Sequence, residues 1–124
     1  MPGKESRVVD QWRTLLEQHA RVTGALEKAL AEHGLGVSEF EVLDELAGQP
    51  DSECRMQALS DVVHLSQSAL SRVVGRLEDE GLVLRVMCQH DRRGIFAHLT
   101  AEGRARYEAA LPTQREVLAA NLQA

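Results

Sequence analysis

The fold of this chain is decided by residues 56–81, MQALSDVVHLSQSALSRVVGRLEDEG. Apolar residues at three-and-four spacing predict a short helix followed by a longer one, which begins at Gln67. Between the two helices, Leu65-Ser66 marks a tight break, and the Ser66 hydroxyl is a typical N-terminal cap. Gly81 supplies the left-handed residue that commonly ends a helix. Two helices joined this closely form a helix-turn-helix.

A β-hairpin is predicted directly after these helices. Residues 82–88 and 95–99 are rich in types that favour strands, and the polar stretch 89–94 separates them. We interpret the hairpin as a wing and the stretch 89–94 as its turn.

The tip of the predicted wing carries two arginines. Asp91 precedes Arg92 and Arg93, and an acid near a guanidinium can fix it so that it projects into the narrow minor groove of DNA. Gly94 allows the tight return to the second strand. An ordinary solvated turn is the alternative reading of these residues, and their place in a hairpin after a helix-turn-helix argues against it.

Two helices are predicted before this segment. Apolar residues recur over Val8 to Leu30 at the spacing of one long amphipathic helix, which Gly34 would end. Ser38 stands three residues before Glu41, a spacing that predicts a capping box and a second helix. A polar loop is expected over residues 49–53.

A final helix completes the chain. Thr100 is its predicted cap, and Pro112 is expected to kink or restart it. The fold class is therefore mainly α with a small β-hairpin wing, a winged helix-turn-helix between N- and C-terminal helices. The length of 124 residues is that of one domain, spanning residues 1–124.

The charge distribution bears on the partner of the chain. A formal net charge of -5 argues at first sight against nucleic acid, because binding to phosphates is driven by Lys and Arg that release counterions. The acids concentrate in residues 39–53, where we expect them to face no base, and a cluster of arginines follows further on. This cluster is Arg72, Arg76, Arg85, Arg92 and Arg93.

The outer face of the longer helix is predicted to read DNA. Its polar face suits the major groove, which admits a helix and shows a distinct hydrogen-bonding pattern for each base pair. We expect base-edge or adjacent phosphate contacts from the residues near its start and a phosphate contact from Arg76. The recognition-helix set is Ser66, Gln67, Ser68, Ser71, Arg72 and Arg76, and the wing set is Arg85, Asp91, Arg92, Arg93 and Gly94.

Three stretches carry a resemblance that covers about residues 15–111. They are SEFEVL at 38–43, LSQSALSR at 65–72 with LEDEGLVLR at 77–85, and DRRG at 91–94 leading into LTAEG at 99–103. In their order and spacing these stretches resemble the MarR family of bacterial transcriptional regulators.

The resemblance implies a homodimer that binds pseudo-palindromic double-stranded DNA and that a small-molecule effector or oxidation releases. We expect it to act as a repressor, although no residue distinguishes a repressor from an activator. It implies dimerisation helices at about 8–33 and 100–124 and a DNA-binding lobe at about 38–99. The family's wing arginine falls on Arg93, with Asp91 as its orienting acid. The residues that would line an effector pocket are Leu16, His19, Leu43 and Tyr107.

Two alternatives stay open. Winged helices also serve as dimerisation or protein-docking modules, since a fold alone does not prove DNA binding. Cys88 lies just before the wing turn, where its oxidation would disturb Arg93, so a redox-sensing regulator is the other alternative. Cys54, in an acidic loop, is expected to be inert.

Other function classes find little support in the sequence. We find no nucleophile with a base, phosphate loop or paired acids, and predict neither an enzyme nor a cofactor. Cys88, His90 and His98 could approach one another across the hairpin, but none has helical ligand spacing beside a carboxylate, so no metal is expected. The apolar stretches are far too short for a bilayer span, and we predict a cytoplasmic protein with no membrane partner.

Overall fold

The computed structural model describes residues 3–88 and 91–122, in the case of residues 88 and 91–93 the backbone alone. The helices are α1 (Lys4–Leu30), α2 (Val37–Ala47), α3 (Met56–Val62), α4 (Gln67–Asp79) and α5 (Ala101–Asn121), with 3-10 turns at Ala31–His33 and Pro50–Ser52. The strands are β1 (Glu53–Arg55), β2 (Val83–Cys88) and β3 (Asp91–Leu99). The predicted fold class is confirmed.

The helix-turn-helix is formed by α3 and α4. The Ser66 hydroxyl accepts a hydrogen bond from the Ala69 amide at 3.1 Å, which caps α4 as predicted. Gly81 ends the segment in the left-handed region, with φ of 75°. One face of α4 is buried, by Leu70, Val73, Val74 and Leu77.

The sheet has a third strand that the sequence did not predict. β1 pairs with β3 in antiparallel register, with Glu53 opposite His98 and Arg55 opposite Phe96, so the sheet order is β1-β3-β2. The expected loop over 49–53 therefore ends one residue earlier, because Glu53 joins a ladder with a strand far away in sequence. β3 begins at Asp91, so the predicted turn 89–94 is wrong over residues 91–94.

The cap of α2 also differs from the prediction. α2 begins at Val37, and the Glu39 carboxylate accepts a hydrogen bond from the Gly36 amide at 2.9 Å. The predicted box of Ser38 and Glu41 is wrong by two residues, because Gly36 is already extended and Glu39 stands three residues after it. The predicted pair, Ser38 and Glu41, and the observed pair, Gly36 and Glu39, are each three residues apart. Only the path of the backbone shows which pair forms the cap.

α5 continues through Pro112 as one helix, so the predicted restart is absent. Proline removes the bond from its own nitrogen to the carbonyl four residues earlier and crowds that carbonyl. Both Pro112 and Glu108 are exposed, so water can satisfy that carbonyl. At the start of α5, the Thr100 hydroxyl caps the Gly103 amide at 2.9 Å and donates to the Gly81 carbonyl at 2.7 Å. This bond ties α5 to the end of α4.

The core lies between α2, α3, α4, α5, the sheet and the second half of α1. Phe40 and Tyr107 stack within it, with ring centroids 5.5 Å apart. α1 contributes only Val22, Leu26 and Leu30 to this core. The N-terminal half of α1 extends beyond it, and every described residue from 3 to 20 is exposed. No helix in the described ranges is both long and apolar enough to cross a membrane.

Gly103 allows α5 to pack against the bend at Leu82, which connects α4 to β2. A Cβ atom at this position would lie 2.0 Å from the Leu82 carbonyl oxygen. Because that oxygen belongs to the backbone, we predict that Gly103→Ala lowers the free energy of unfolding by about 1–3 kcal/mol. Urea unfolding at fixed protein concentration would measure it.

Gly75→Ala is the matched control. Its added Cβ would make ordinary contact, 3.8 Å from Arg85 Nη2, inside a helix where alanine is favoured by about 1 kcal/mol. Equal stabilisation by both substitutions would contradict the packing described here.

Candidate nucleic-acid interface

The exposed face of α4 is polar along its length. Burial of Leu70, Val74 and Leu77, each 0% exposed, leaves the opposite face in solvent. The exposed residues include Ser66, Gln67, Ser68, Ser71, Arg72 and Arg76, all six of the predicted recognition-helix set. The structure thus places them on one surface.

Gln67 also joins the two helices of the motif. Its Nε2 donates to Ser60 Oγ at 2.7 Å, and Ser60 Oγ donates to the Gln57 carbonyl at 2.9 Å. Ser60 is buried in α3, although the sequence pattern gave no signal for it. This chain of bonds fixes the first turn of α4 relative to α3.

Arg85, a member of the predicted wing set, lies on β2 of the wing hairpin, and its guanidinium contacts α4. Its Nη2 donates to the Ser71 carbonyl at 2.6 Å and to Ser71 Oγ at 3.3 Å. Its Nε lies 3.1 Å from Glu78 Oε1. Arg85 therefore joins β2 to two turns of α4.

A groove runs along α4 beside this arginine. It has a volume of about 690 Å³, and its walls include Ser38 of α2 and the cations Arg72, Arg76 and Arg85. Glu78 and Asp79 lie at the same groove, so its charge is mixed. Arg72 and Arg76 line this groove and are also exposed to solvent.

The wing is described only in part. The side chains of Cys88, Asp91, Arg92 and Arg93 lie outside the described residues, so their predicted roles are not tested. Gly94 is in β3, where a Cβ would lie 3.3 Å from Arg55 Cζ and 3.4 Å from a ring carbon of Phe96. Its predicted role in a tight turn is wrong, because Gly94 lies within β3.

Arg55 is a cation near the wing that sequence reasoning missed. It lies on β1, with its Cζ 5.4 Å from the centre of the Phe96 ring. Arg55 falls between the predicted loop 49–53 and the predicted short helix, and only the pairing of β1 with β3 brings it to the wing. Met87 and Ile95, which pair across the same sheet, are 64% and 51% exposed.

Two of the acidic residues in 39–53 lie beside basic side chains, contrary to prediction. Asp44 accepts a hydrogen bond from the Tyr107 hydroxyl at 2.6 Å and lies 3.4 Å from Arg115. Glu53 Oε1 lies 3.3 Å from His98 Nδ1. The negative charge of Asp44 is thus partly neutralised by Arg115 of α5, which the local sequence could not reveal.

Two pKa shifts follow from this arrangement. Burial, and then the hydrogen bond and charge of Asp44, raise the pKa of Tyr107 to about 12. Burial, and then the charge of Asp44, raise the pKa of Glu41, against the opposing effect of Arg115. Both shifts favour the neutral form of the group.

The four predicted effector-pocket residues do not line one cavity of the monomer. Leu16 and His19, with Trp12, line a cavity of about 410 Å³ on α1. Tyr107 lines another, of about 450 Å³, and Leu43 is fully buried in the core. A pocket formed by all four within one protomer is not supported.

The described part of the chain contains neither an activated cysteine nor a metal site. Burial, and then the charge of Glu45, raise the pKa of the Cys54 thiol, which disfavours the reactive thiolate. Within residues 3–88 and 91–122, no group of three or more His, Cys, Asp or Glu is placed to hold a metal ion. Cys88 and His90 fall outside the described side chains.

The surface just described is the winged helix-turn-helix of a known family. A family model described as MarR family matches residues 33–94. This chain belongs to the MarR family. The matched stretch contains α2, the helix-turn-helix and most of the wing, so membership rests on the segment that presents the polar face of α4.

A curated relative of this MarR-family chain is MhqR, an HTH-type transcriptional regulator of Bacillus subtilis, 30% identical over 89 residues. The aligned stretch is 72% of this chain and 60% of MhqR, so the chain spans less than two thirds of that relative. MarR-family transcriptional regulators are not enzymes, and the prediction on this point is confirmed.

Solved MarR-family structures share the whole fold. AbsC from Streptomyces coelicolor has a TM-score of 0.87 at 31% identity, over 98% of this chain and 81% of AbsC. Sco3205 from the same organism, solved in complex with DNA, has a TM-score of 0.87 at 29% identity, over 98% of this chain and 76% of Sco3205. The described elements therefore have counterparts in known regulators.

The single tyrosine of the chain tests the electrostatics of this lobe. We predict that its absorbance at 295 nm titrates with a midpoint near a pH of about 12 in the folded protein and near about 10 in denaturant. Because the folded pKa is the higher one, this group contributes stability fully below pH of about 10, and the contribution is lost as the pH rises through about 12.

Asp44→Asn is the matched variant, and it should move the folded midpoint downward, since it removes the negative charge beside the phenol. A folded wild-type protein whose midpoint equals that of the denatured chain would contradict the contact between Tyr107 and Asp44.

Proposed function

We propose that this chain is a sequence-specific double-stranded DNA-binding regulator of transcription that acts as a homodimer. The main observation in support of this proposal is the polar, solvent-facing side of α4, where all six predicted recognition residues are exposed. Such a face matches the hydrogen-bonding groups at base edges in the major groove. The DNA complex of Sco3205, which shares this fold, adds support.

Each part of the surface has a role in this proposal. Gln67, Ser68, Ser71 and Arg72 contact base edges or adjacent phosphates, and Arg76, farther along α4, contacts the phosphate backbone. The wing segment 91–94 enters the neighbouring minor groove through Arg93, with Asp91 holding its guanidinium, as the resemblance implies.

The homodimer is supported by the unpartnered apolar side of α1. Val8, Trp12, Leu15 and Leu16 are 48% to 58% exposed, although they lie on the apolar stripe of an amphipathic helix. Contiguous exposed apolar side chains mark interaction surfaces, and a second copy would cover them isologously. It would also hold two α4 helices at the spacing that successive major grooves require.

The finer regulatory assignments belong to the proposal as well. We propose that binding represses transcription and that a small-molecule effector modulates it. An effector site that includes Leu16 and His19 would involve the α1 surface assigned here to the partner, so ligand and dimer contacts would influence each other.

Selection from a random duplex pool, followed by fluorescence anisotropy, tests the function. We predict enrichment of an inverted repeat, and affinity for it that falls steeply with salt because phosphate contacts release counterions. Arg72→Ala and Arg93→Ala should each weaken binding by about tenfold, since each removes a charge-assisted hydrogen bond.

Arg104→Ala is the control for loss of a positive charge, because Arg104 lies on α5 with its guanidinium on Ser52 Oγ at 2.6 Å. It should bind DNA as the wild type does. If no duplex is enriched at low salt, the chain is a dimerisation or docking module instead, and the proposal fails.

A further inference from the structure

Arg85 occupies a position in which it can transmit the placement of the wing to α4. It lies on β2, opposite Ala97 of β3, and its guanidinium reaches across to α4. One guanidinium carries several donors in a fixed planar fork, so it can hold two groups at a defined separation. Here those groups belong to Ser71 and Glu78, which are two turns apart.

The first group is a main-chain carbonyl inside a helix. In an α-helix the Ser71 carbonyl already accepts from the amide of residue 75, and a carbonyl oxygen has a second lone pair. Arg85 Nη2 donates to that second lone pair, with 2.6 Å between the nitrogen and the carbonyl oxygen. This bond is shorter than the one that the same nitrogen makes to Ser71 Oγ. Since the bond is to the backbone, it constrains α4 itself rather than one mobile side chain.

The second group prevents rotation about the first. Arg85 Nε lies 3.1 Å from Glu78 Oε1, and the two side chains are about equally exposed, at 34% and 33%. A salt bridge this exposed contributes little to stability by itself. Together with the bond to the Ser71 carbonyl, however, it gives β2 two contact points along α4. Two contact points restrict both the position of β2 along the helix axis and the angle between β2 and α4.

The same guanidinium acts on a side chain of the predicted reading surface. Arg85 Nη2 also lies 3.3 Å from Ser71 Oγ and donates to it. A hydroxyl whose oxygen accepts from a cation directs its own proton elsewhere, and Ser71 is exposed. Ser71 is thereby prepared to donate to an acceptor on a base edge or a phosphate.

We propose that Arg85 is a positioning residue, which sets the orientation of α4 and of the Ser71 hydroxyl and thereby sequence preference, without contacting DNA itself. This inference rests on the proposed DNA binding. It replaces the sequence-based assignment of Arg85 to the wing's DNA contacts.

The test compares Arg85→Lys, Arg85→Ala and Ser71→Ala on the duplex selected by the wild type, on all its single-base variants and on an unrelated duplex. Lysine keeps the charge and most of the stem but loses the fork. We predict that Arg85→Lys weakens binding to the selected duplex by about tenfold, leaves binding to the unrelated duplex unchanged and keeps the salt slope. Arg85→Lys and Ser71→Ala should relax preference at the same base position.

A double variant measures whether the effects of Arg85 and Ser71 on DNA binding depend on each other. If Arg85 acts through Ser71, then Ser71→Ala combined with Arg85→Lys should weaken binding about as much as Arg85→Lys alone. The proposal is overturned if the two effects multiply. It is also overturned if Arg85→Lys binds normally while Arg85→Ala lowers the salt slope by about one per protomer, which is the sign of a direct phosphate contact.

Amide hydrogen exchange on the DNA-free protein separates this inference from the proposed function. Arg85→Lys should speed exchange in α4 by about tenfold while the circular dichroism spectrum remains that of the folded protein. If the wild type selects no duplex, the proposed function fails, and the exchange result still decides whether Arg85 holds α4. Unchanged exchange in α4 would overturn the positioning role.

Discussion

The burial of one face of α4 is the constraint on which the rest of the structure depends. Leu70, Val74 and Leu77 have no exposed surface, and together they fix which side of the helix faces solvent. Full burial of a Leu or Val side chain contributes about 1.5–3 kcal/mol, more than any surface contact of this helix. The polar face is outward because the apolar face cannot be. Caps and ion pairs then refine a position that burial has already set.

The elements around α4 restrict its remaining freedom. Ser60 and Gln67 tie its start to α3, Arg85 ties its middle to β2, and Thr100 ties the segment after it to α5. α5 packs in turn along α1, whose N-terminal half extends away from the core. In the proposed homodimer, a second copy bound to that half would therefore act on α4 through α5.

Local signals predicted the helices well and the tertiary contacts poorly. Ser66, Gly81 and Thr100 have the predicted capping roles, because a cap depends only on residues within a few positions along the chain. β1 was missed, since three residues carry no periodicity and pair with a strand about 40 residues away. The same limit hid the partners of Asp44, which α5 supplies, and the contact of Arg85 with α4. The polar face of α4 was predictable because its sequence pattern is local. The contacts that orient α4 join residues far apart in the sequence, so they were not predictable.

The most direct test of the central claim is hydroxyl-radical footprinting of the selected duplex. Two α4 helices held by one dimer should protect two half-sites whose centres lie about 10–10.5 base pairs apart, the distance between successive major grooves. Trp12→Glu, which places a charge on the exposed α1 surface, should abolish the paired pattern without unfolding the lobe. A single protected site, or paired protection that survives Trp12→Glu, would contradict the proposal that a dimer formed through α1 aligns the reading helices.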